Sequence, residues 1–175
     1  ILATAVLIPA FKATGARLKV VASNGGVSGL HAGRKYGFEA STTDTDSIFA
    51  DPQVNAVVIT TRHDSHAALV CQALAAGKHV FVEKPLAMTV EEAGEVVQIA
   101  RRRGRKLVVG YILRQHPSWI KFIEIAQQLG TPLVFRMNLN QQSNGETWDW
   151  HKRLLNSFPP IVDCGVHYVD VMCQM

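Results

Sequence analysis

Over roughly the first 110 residues, apolar positions alternate between two rhythms: helical spacing over about ten residues, and short apolar runs without charges. That alternation predicts an α/β protein with a parallel sheet. Helices are predicted over residues 3–14, 28–36 and 65–76, each followed by a glycine (Gly15, Gly37, Gly77), with Ser65 as the N-cap of the third. Thr89-Val90-Glu91-Glu92 has capping-box spacing and opens a helix that places Ala93, Val96, Val97 and Ala100 on one face and stops at Gly104. Pro117 at a first helical position opens another, ended by Gly130. Strands fall at 18–22, 56–60, 79–82 and 106–111, and residues 46–50 form one short helical turn. The run 56–60 is predicted to be a central strand, buried on both faces.

After Gly130 the rhythm changes. Leu133, Phe135, Met137 and Leu139 alternate with Val134, Arg136, Asn138 and Asn140, a period of two that predicts an exposed or antiparallel strand of a second domain. Residues 141–160 read as a polar and aromatic loop containing Trp148, Trp150, His151 and Lys152, and helical spacing returns over 162–174. A length of 175 residues agrees with one domain plus part of another.

Composition narrows the class. Hydrophobic residues at 47% against 18% charged exclude global disorder. The net charge of +4 includes the run Arg101, Arg102, Arg103, Arg105 and Lys106, which reads as a solvated helix end. Basic residues do not alternate with aromatics over any long stretch, so a nucleic-acid partner is not expected. Three cysteines without C-x-x-C spacing suggest neither a disulfide framework nor a zinc knuckle, and a reducing, cytoplasmic setting is expected. Pro9 and Lys12 interrupt the richest apolar stretch, so no membrane partner is expected. No signal peptide is visible before Ile1, and further chain is expected upstream.

Three groups of residues carry candidate chemistry. Asp163, His167 and Asp170, spaced i, i+4, i+7, project from one helix face, where a carboxylate one turn from an imidazole suits acid/base work. The same spacing also serves an Asp capping its own helix beside a surface His. Glu83-Lys84-Pro85 follows a buried strand at the edge where doubly wound sheets bind ligands, although a salt-bridged surface turn has the same composition. His63 and His66 sit three apart, but no Cys, Asp or Glu completes a metal set, and no metal is expected. Gly25, Gly26 and Gly29 do not form G-x-G-x-x-G.

Taken together, Asp51-Pro52, Ala56-Val57-Val58-Ile59-Thr60, His66-Ala67, the run from Ala73 to Val80, Glu83-Lys84-Pro85-Leu86 and Asp163-Cys164-Gly165-Val166-His167 resemble the Gfo/Idh/MocA family of NAD(P)-dependent oxidoreductases. The resemblance spans nearly the whole chain, and A-G-K-H-V-x-x-E-K-P is its specific part. It implies a Rossmann-type doubly wound parallel sheet over residues 1–112, lacking its first strand and glycine fingerprint. Residues 113–175 would begin an α+β open-sheet domain for substrate binding and oligomerisation, whose sheet continues beyond Met175.

By the same resemblance Lys84, His167 and Asp163 are catalytic, with Lys84 at the reacting oxygen and His167 as acid/base. Thr60, Thr61, Arg62, His66, Glu83, Lys84 and Pro85 contact the cofactor, as do Ser23 and Asn24. Arg114, Trp148, Asp163, His167 and Lys84 face the substrate. The implied function is hydride transfer between NAD(P) and a secondary alcohol or ketone of a sugar, cyclitol or sugar nucleotide, in a homo-oligomer at full length. The chain by itself is expected to be inactive. A nucleotide-binding regulator that kept the fold without the chemistry is the other reading. Ser23-Asn24 stand where an Asp or Glu would bond a ribose 2′-hydroxyl, which tilts the expectation toward NADP. A cis Lys84–Pro85 bond is also expected from the resemblance.

Overall fold

The computed structural model describes residues 3–138 and 160–175, together with Trp148 and Lys152. A wide helical turn, Ala3–Leu7, leads into α1 (Ile8–Ala13). There follow β1 (Val20–Ala22), α2 (Val27–Tyr36), β2 (Ala40–Thr42), α3 (Thr45–Ala50), β3 (Ala56–Ile59), α4 (His66–Ala75), β4 (His79–Val82), α5 (Val90–Arg103) and β5 (Leu107–Val109). A 3₁₀ turn, Ile112–Gln115, then leads into α6 (Pro117–Leu129), and a helical turn, Pro160–Asp163, precedes α7 (Val166–Met172).

All described strand pairs are parallel, in two blocks: β1 with β2, and β3-β4-β5 with β4 in the middle. Parallel neighbours need crossover connections. Here α2 carries the chain from β1 to β2, α4 from β3 to β4, and α5 from β4 to β5. The core lies where α4 and α5 cover the larger block: Val70, Ala73 and Leu74 of α4 and Val96 and Ala100 of α5 meet Ile59, Val80 and Val82 from the strands. Burying a Leu or Val completely contributes about 1.5–3 kcal/mol, so this cluster dominates the stability of the block.

Local signals account for the helix ends. The Thr89 hydroxyl accepts from the Glu92 N–H at 3.2 Å, and the Glu92 carboxylate accepts in return from the N–H groups of Thr89 (3.2 Å) and Met88 (2.9 Å). Asp44, not singled out by its sequence context, caps α3 by accepting from the N–H groups of Asp46 and Ser47. Ser65 precedes α4, but its hydroxyl donates to the Arg62 carbonyl and lies 2.7 Å from Thr61 Oγ1 instead of capping the helix.

Several expectations are corrected. The strand β2 was not foreseen, because Ala40-Ser41-Thr42 is short and carries no apolar run. The run at β3 is not buried on both faces: Val58 is 40% exposed, because it points to the sheet face opposite the α4 and α5 cluster, as does Val108, level with it through Phe81 and 52% exposed. Val97 of α5 is 37% exposed, outside the buried stripe. Residues 133–138 form no strand and Val134 is 97% exposed; alternation creates a strand only where a partner takes up the backbone groups. Asn140, Trp150, His151 and most of the loop 141–160 lie outside the described residues.

Leu74 is fully enclosed between α4 and the sheet. Leu74→Ala is therefore expected to cost about 2–5 kcal/mol, against about 1 kcal/mol for Thr89→Ala, which removes only a cap. Urea denaturation of the two variants beside the wild type checks the ordering.

Candidate functional site

Register decides where the candidate side chains emerge. Ile59 is level with Val82, and Val82 with Val109, so the chain leaves β3, β4 and β5 at one carboxyl edge. The segments 60–62, 83–85 and 110–111 are consequently neighbours, and β1 delivers Ser23 and Asn24 at the end of its own block. Ligands of open parallel sheets bind at such an edge.

Glu83 follows β4 with its N–H bonded to the Ile59 carbonyl at 3.0 Å, and the Gly110 N–H bonds the Val82 carbonyl at 2.8 Å. The Glu83 side chain is directed across to β5: a Cβ on Gly110 would stand 2.7 Å from Oε1 and 3.0 Å from the carboxyl carbon. Glycine at 110 therefore makes room for the carboxyl group. Glu83 is 7% exposed, and its buried Oε1 has no hydrogen-bond partner among the described residues. Burial pushes its pKa above the ordinary carboxylate value, opposed by a backbone hydrogen bond from Lys84 and by the charges of Lys84 and His66. The Lys84–Pro85 peptide bond is cis, as the resemblance implied.

Gly110 is followed by Tyr111, whose ring meets the His167 ring edge-on, with centroids 6.2 Å apart. Burial raises the Tyr111 phenol pKa, and the Asp170 charge adds to the shift. Glu83, Gly110, Tyr111 and His167 thus form a continuous set, joining the end of β4 to α7. The side chain of Asp163 lies outside the described residues.

The other candidates are distributed differently. Thr60, Thr61, Arg62 and Asn24 are exposed at the carboxyl edge, whereas Ser23 is turned inward. Its Oγ accepts from the Gly29 N–H at 2.8 Å, and a Cβ on Gly29 would sit 2.7 Å from that oxygen, so Ser23 serves the close packing of α2 on β1. His66, expected at the cofactor, is enclosed beneath the surface with both ring nitrogens against backbone carbonyls. Its ring has no polar atom left for a ligand or a metal.

Arg114, expected at the substrate, is committed to α7: Nε and Nη2 donate to the two Asp170 carboxylate oxygens at 2.8 and 2.5 Å. Its guanidinium also stands 5.4 Å from the centre of the Tyr111 ring. Together with Trp119 against Tyr168 and Gln127 donating to the Gln174 carbonyl, this pair seats α7 on the segment after β5. Trp148 is exposed. The sequence reading missed Gly110 and Tyr111; the available signal was a glycine placed directly after a β-branched strand, where a close backbone approach is common.

The family model described as "Oxidoreductase family, NAD-binding Rossmann fold", GFO_IDH_MocA, matches residues 2–111. The chain belongs to the Gfo/Idh/MocA family. Among curated members, a levoglucosan dehydrogenase from Pseudarthrobacter phenanthrenivorans is 31% identical over 161 residues, covering 87% of this chain and 41% of the relative. A 1,5-anhydro-D-fructose reductase from Ensifer adhaerens is 37% identical over 108 residues, 62% of this chain and 32% of that protein. The chain therefore spans less than half the length of these two Gfo/Idh/MocA relatives.

Among solved structures, levoglucosan dehydrogenase in complex with NADH and levoglucosan shares 35% identity at a TM-score of 0.57, over 62% of this chain and 30% of that one. A 3-ketoreductase from Actinomadura kijaniata, solved with NADP and TDP-benzene, shares the fold at a TM-score of 0.67 and 24% identity, over 73% of this chain and 39% of its own. The Rossmann sheet foreseen for the Gfo/Idh/MocA chain is thereby established. Among the described residues, no helix is long and apolar enough to cross a membrane.

The raised pKa of Glu83 has a testable sign. Between the ordinary carboxylate value and the raised one, the folded protein holds a proton that the unfolded chain has released, so stability falls as pH rises through that window. Glu83→Gln is expected to flatten this part of the melting-temperature profile of the nucleotide-free protein, measured by calorimetry from pH 4 upward. Identical profiles for the two proteins count against the desolvated carboxyl.

Proposed function

We propose that the protein to which this chain belongs is an NAD(P)-dependent dehydrogenase or reductase acting on a secondary alcohol or ketone of a sugar or cyclitol. The observation that carries this reading is the continuous contact from Glu83 through Gly110 and Tyr111 to His167, which joins the dinucleotide-binding edge of the sheet to a helix bearing a titratable imidazole. Sugar and cyclitol substrates in the names of its relatives support the substrate class. The end of the family match at residue 111 supports a division between a dinucleotide-binding part, residues 1–112, and a substrate part beginning at 113.

The carboxyl edge fits a nicotinamide dinucleotide: a buried carboxyl oxygen without a described partner at Glu83, a glycine beside it, and exposed hydroxyls at Thr60 and Thr61. When bound there, the nicotinamide would supply the hydride acceptor or donor. In the oxidising direction His167 takes the proton of the substrate hydroxyl, and the Lys84 ammonium stabilises the alkoxide that develops on the same oxygen. Asp163, at the end of the helical turn that precedes α7, binds the substrate. The absence of a carboxylate at Ser23-Asn24 favours NADP, because nothing there repels a 2′-phosphate. Since Ser23 is committed to Gly29, the exposed Asn24 is the position that tests this preference.

In the intact protein His167→Ala is expected to lower turnover by about 10² to 10⁴ with nucleotide affinity nearly unchanged. Steady-state kinetics with a panel of polyols, beside nucleotide titration, measure both quantities; normal turnover by His167→Ala removes the acid/base assignment. Asn24→Asp is expected to shift preference from NADP toward NAD, read as the ratio of the two dissociation constants.

A further inference from the structure

We propose that His66 is a positioning residue that works as a doubly donating imidazolium, tying the segment after β3 to the turn after β4. Its ring is fully enclosed at the start of α4. Nδ1 lies 2.7 Å from the Pro85 carbonyl oxygen and Nε2 lies 3.1 Å from the Thr61 carbonyl oxygen. Both partners are acceptors only. A neutral imidazole carries one N–H and one lone pair, so it satisfies one carbonyl and turns a lone pair toward the other. Rotating the ring by half a turn does not help, because it sets ring carbons against the carbonyl oxygens at these separations. The cation satisfies both.

Titratable groups lie close to the ring. The Glu83 carboxyl, at the end of β4, interacts electrostatically with His66 and with Lys84. From the 3₁₀ turn before α4, the His63 ring meets the His66 ring with centroids 5.9 Å apart. Local hydrogen bonds also shape the first segment: Thr61 Oγ1 meets Ser65 Oγ, and Ser65 Oγ donates to the Arg62 carbonyl. These bonds shape the segment without joining it to the neighbouring turn. Together with the backbone bond from the Glu83 N–H to the Ile59 carbonyl at 3.0 Å, the two His66 bonds make that join, and they extend it past the strand ends to hold Thr60-Thr61 beside Glu83-Lys84, the two groups assigned above to the cofactor and the reacting oxygen. The consequence for nucleotide binding rests on that assignment, whereas the protonation of the ring does not.

Two measurements test the proposal in the intact protein. With ¹⁵N-labelled histidine and no nucleotide added, a ring ¹H–¹⁵N correlation near neutral pH is expected to show two protected N–H groups for His66, assigned by their loss in His66→Gln. A single N–H overturns the imidazolium. Asn presents its amide donor near the Nδ1 position and Gln near the Nε2 position, so His66→Asn keeps the Pro85 bond, His66→Gln keeps the Thr61 bond, and His66→Phe keeps neither.

Fluorescence titration with NADH and NADPH is expected to show a loss of affinity of roughly 3- to 10-fold for Asn and for Gln, and roughly the product of the two for Phe. Circular dichroism melts run alongside to separate folding from binding. Should His66→Phe fail to fold, the Asn and Gln variants carry the comparison. Folded Asn and Gln variants that bind like wild type overturn the positioning role. If wild type binds neither nucleotide, the functional reading and the positioning role fall together, while the ring spectrum still decides the protonation state.

Discussion

Strand β4 holds the molecule's organisation together. It is paired on both sides, its Val80 and Val82 are buried, and α4 and α5 close over it. Parallel pairing in this register makes the ends of three strands level, so segments distant in sequence emerge at one edge. The apolar cluster beneath them is a condition of that alignment, because sliding β4 by one residue would exchange its buried and exposed faces.

The edge so created is a place where polar groups are desolvated. Glu83 is the clearest case: a carboxyl group enclosed beside a glycine, held by its neighbour's backbone N–H and by nearby positive charge. Burying such a group costs stability unless hydrogen bonds or charges compensate, and a partly compensated acid at a binding edge is characteristic of a site that expects another partner. His66 illustrates the opposite arrangement, with every ring nitrogen already engaged inside the protein. The two residues stand close together, yet one keeps a buried oxygen without a partner among the described residues and the other is spent on holding the edge in shape.

On the far side, Arg114 and Asp170 perform a comparable service for α7. A two-point guanidinium–carboxylate contact constrains orientation as well as distance, and Tyr111 lies between this pair and His167. An arginine that the family resemblance places at the substrate is part of the mounting that fixes a neighbouring helix.

What the amino-acid sequence determined by itself was the order and type of the main elements, since helix capping, glycine stops and apolar spacing act over a few residues. Thr89 with Glu92 marked the start of α5, Pro117 that of α6, and the run from Ala73 to Pro85 carried the family resemblance. The tertiary structure alone decided which polar residue faces outward and which faces another residue. Ser23 turns to Gly29, Arg114 to Asp170 and His66 to two carbonyls, while Gly110 serves a carboxyl group 27 positions earlier. None of these pairings has a periodic signature, because each depends on how strands and helices pack, whether the partner is five or six residues away, as for His66 with Thr61 and Ser23 with Gly29, or 56 away, as for Arg114 with Asp170.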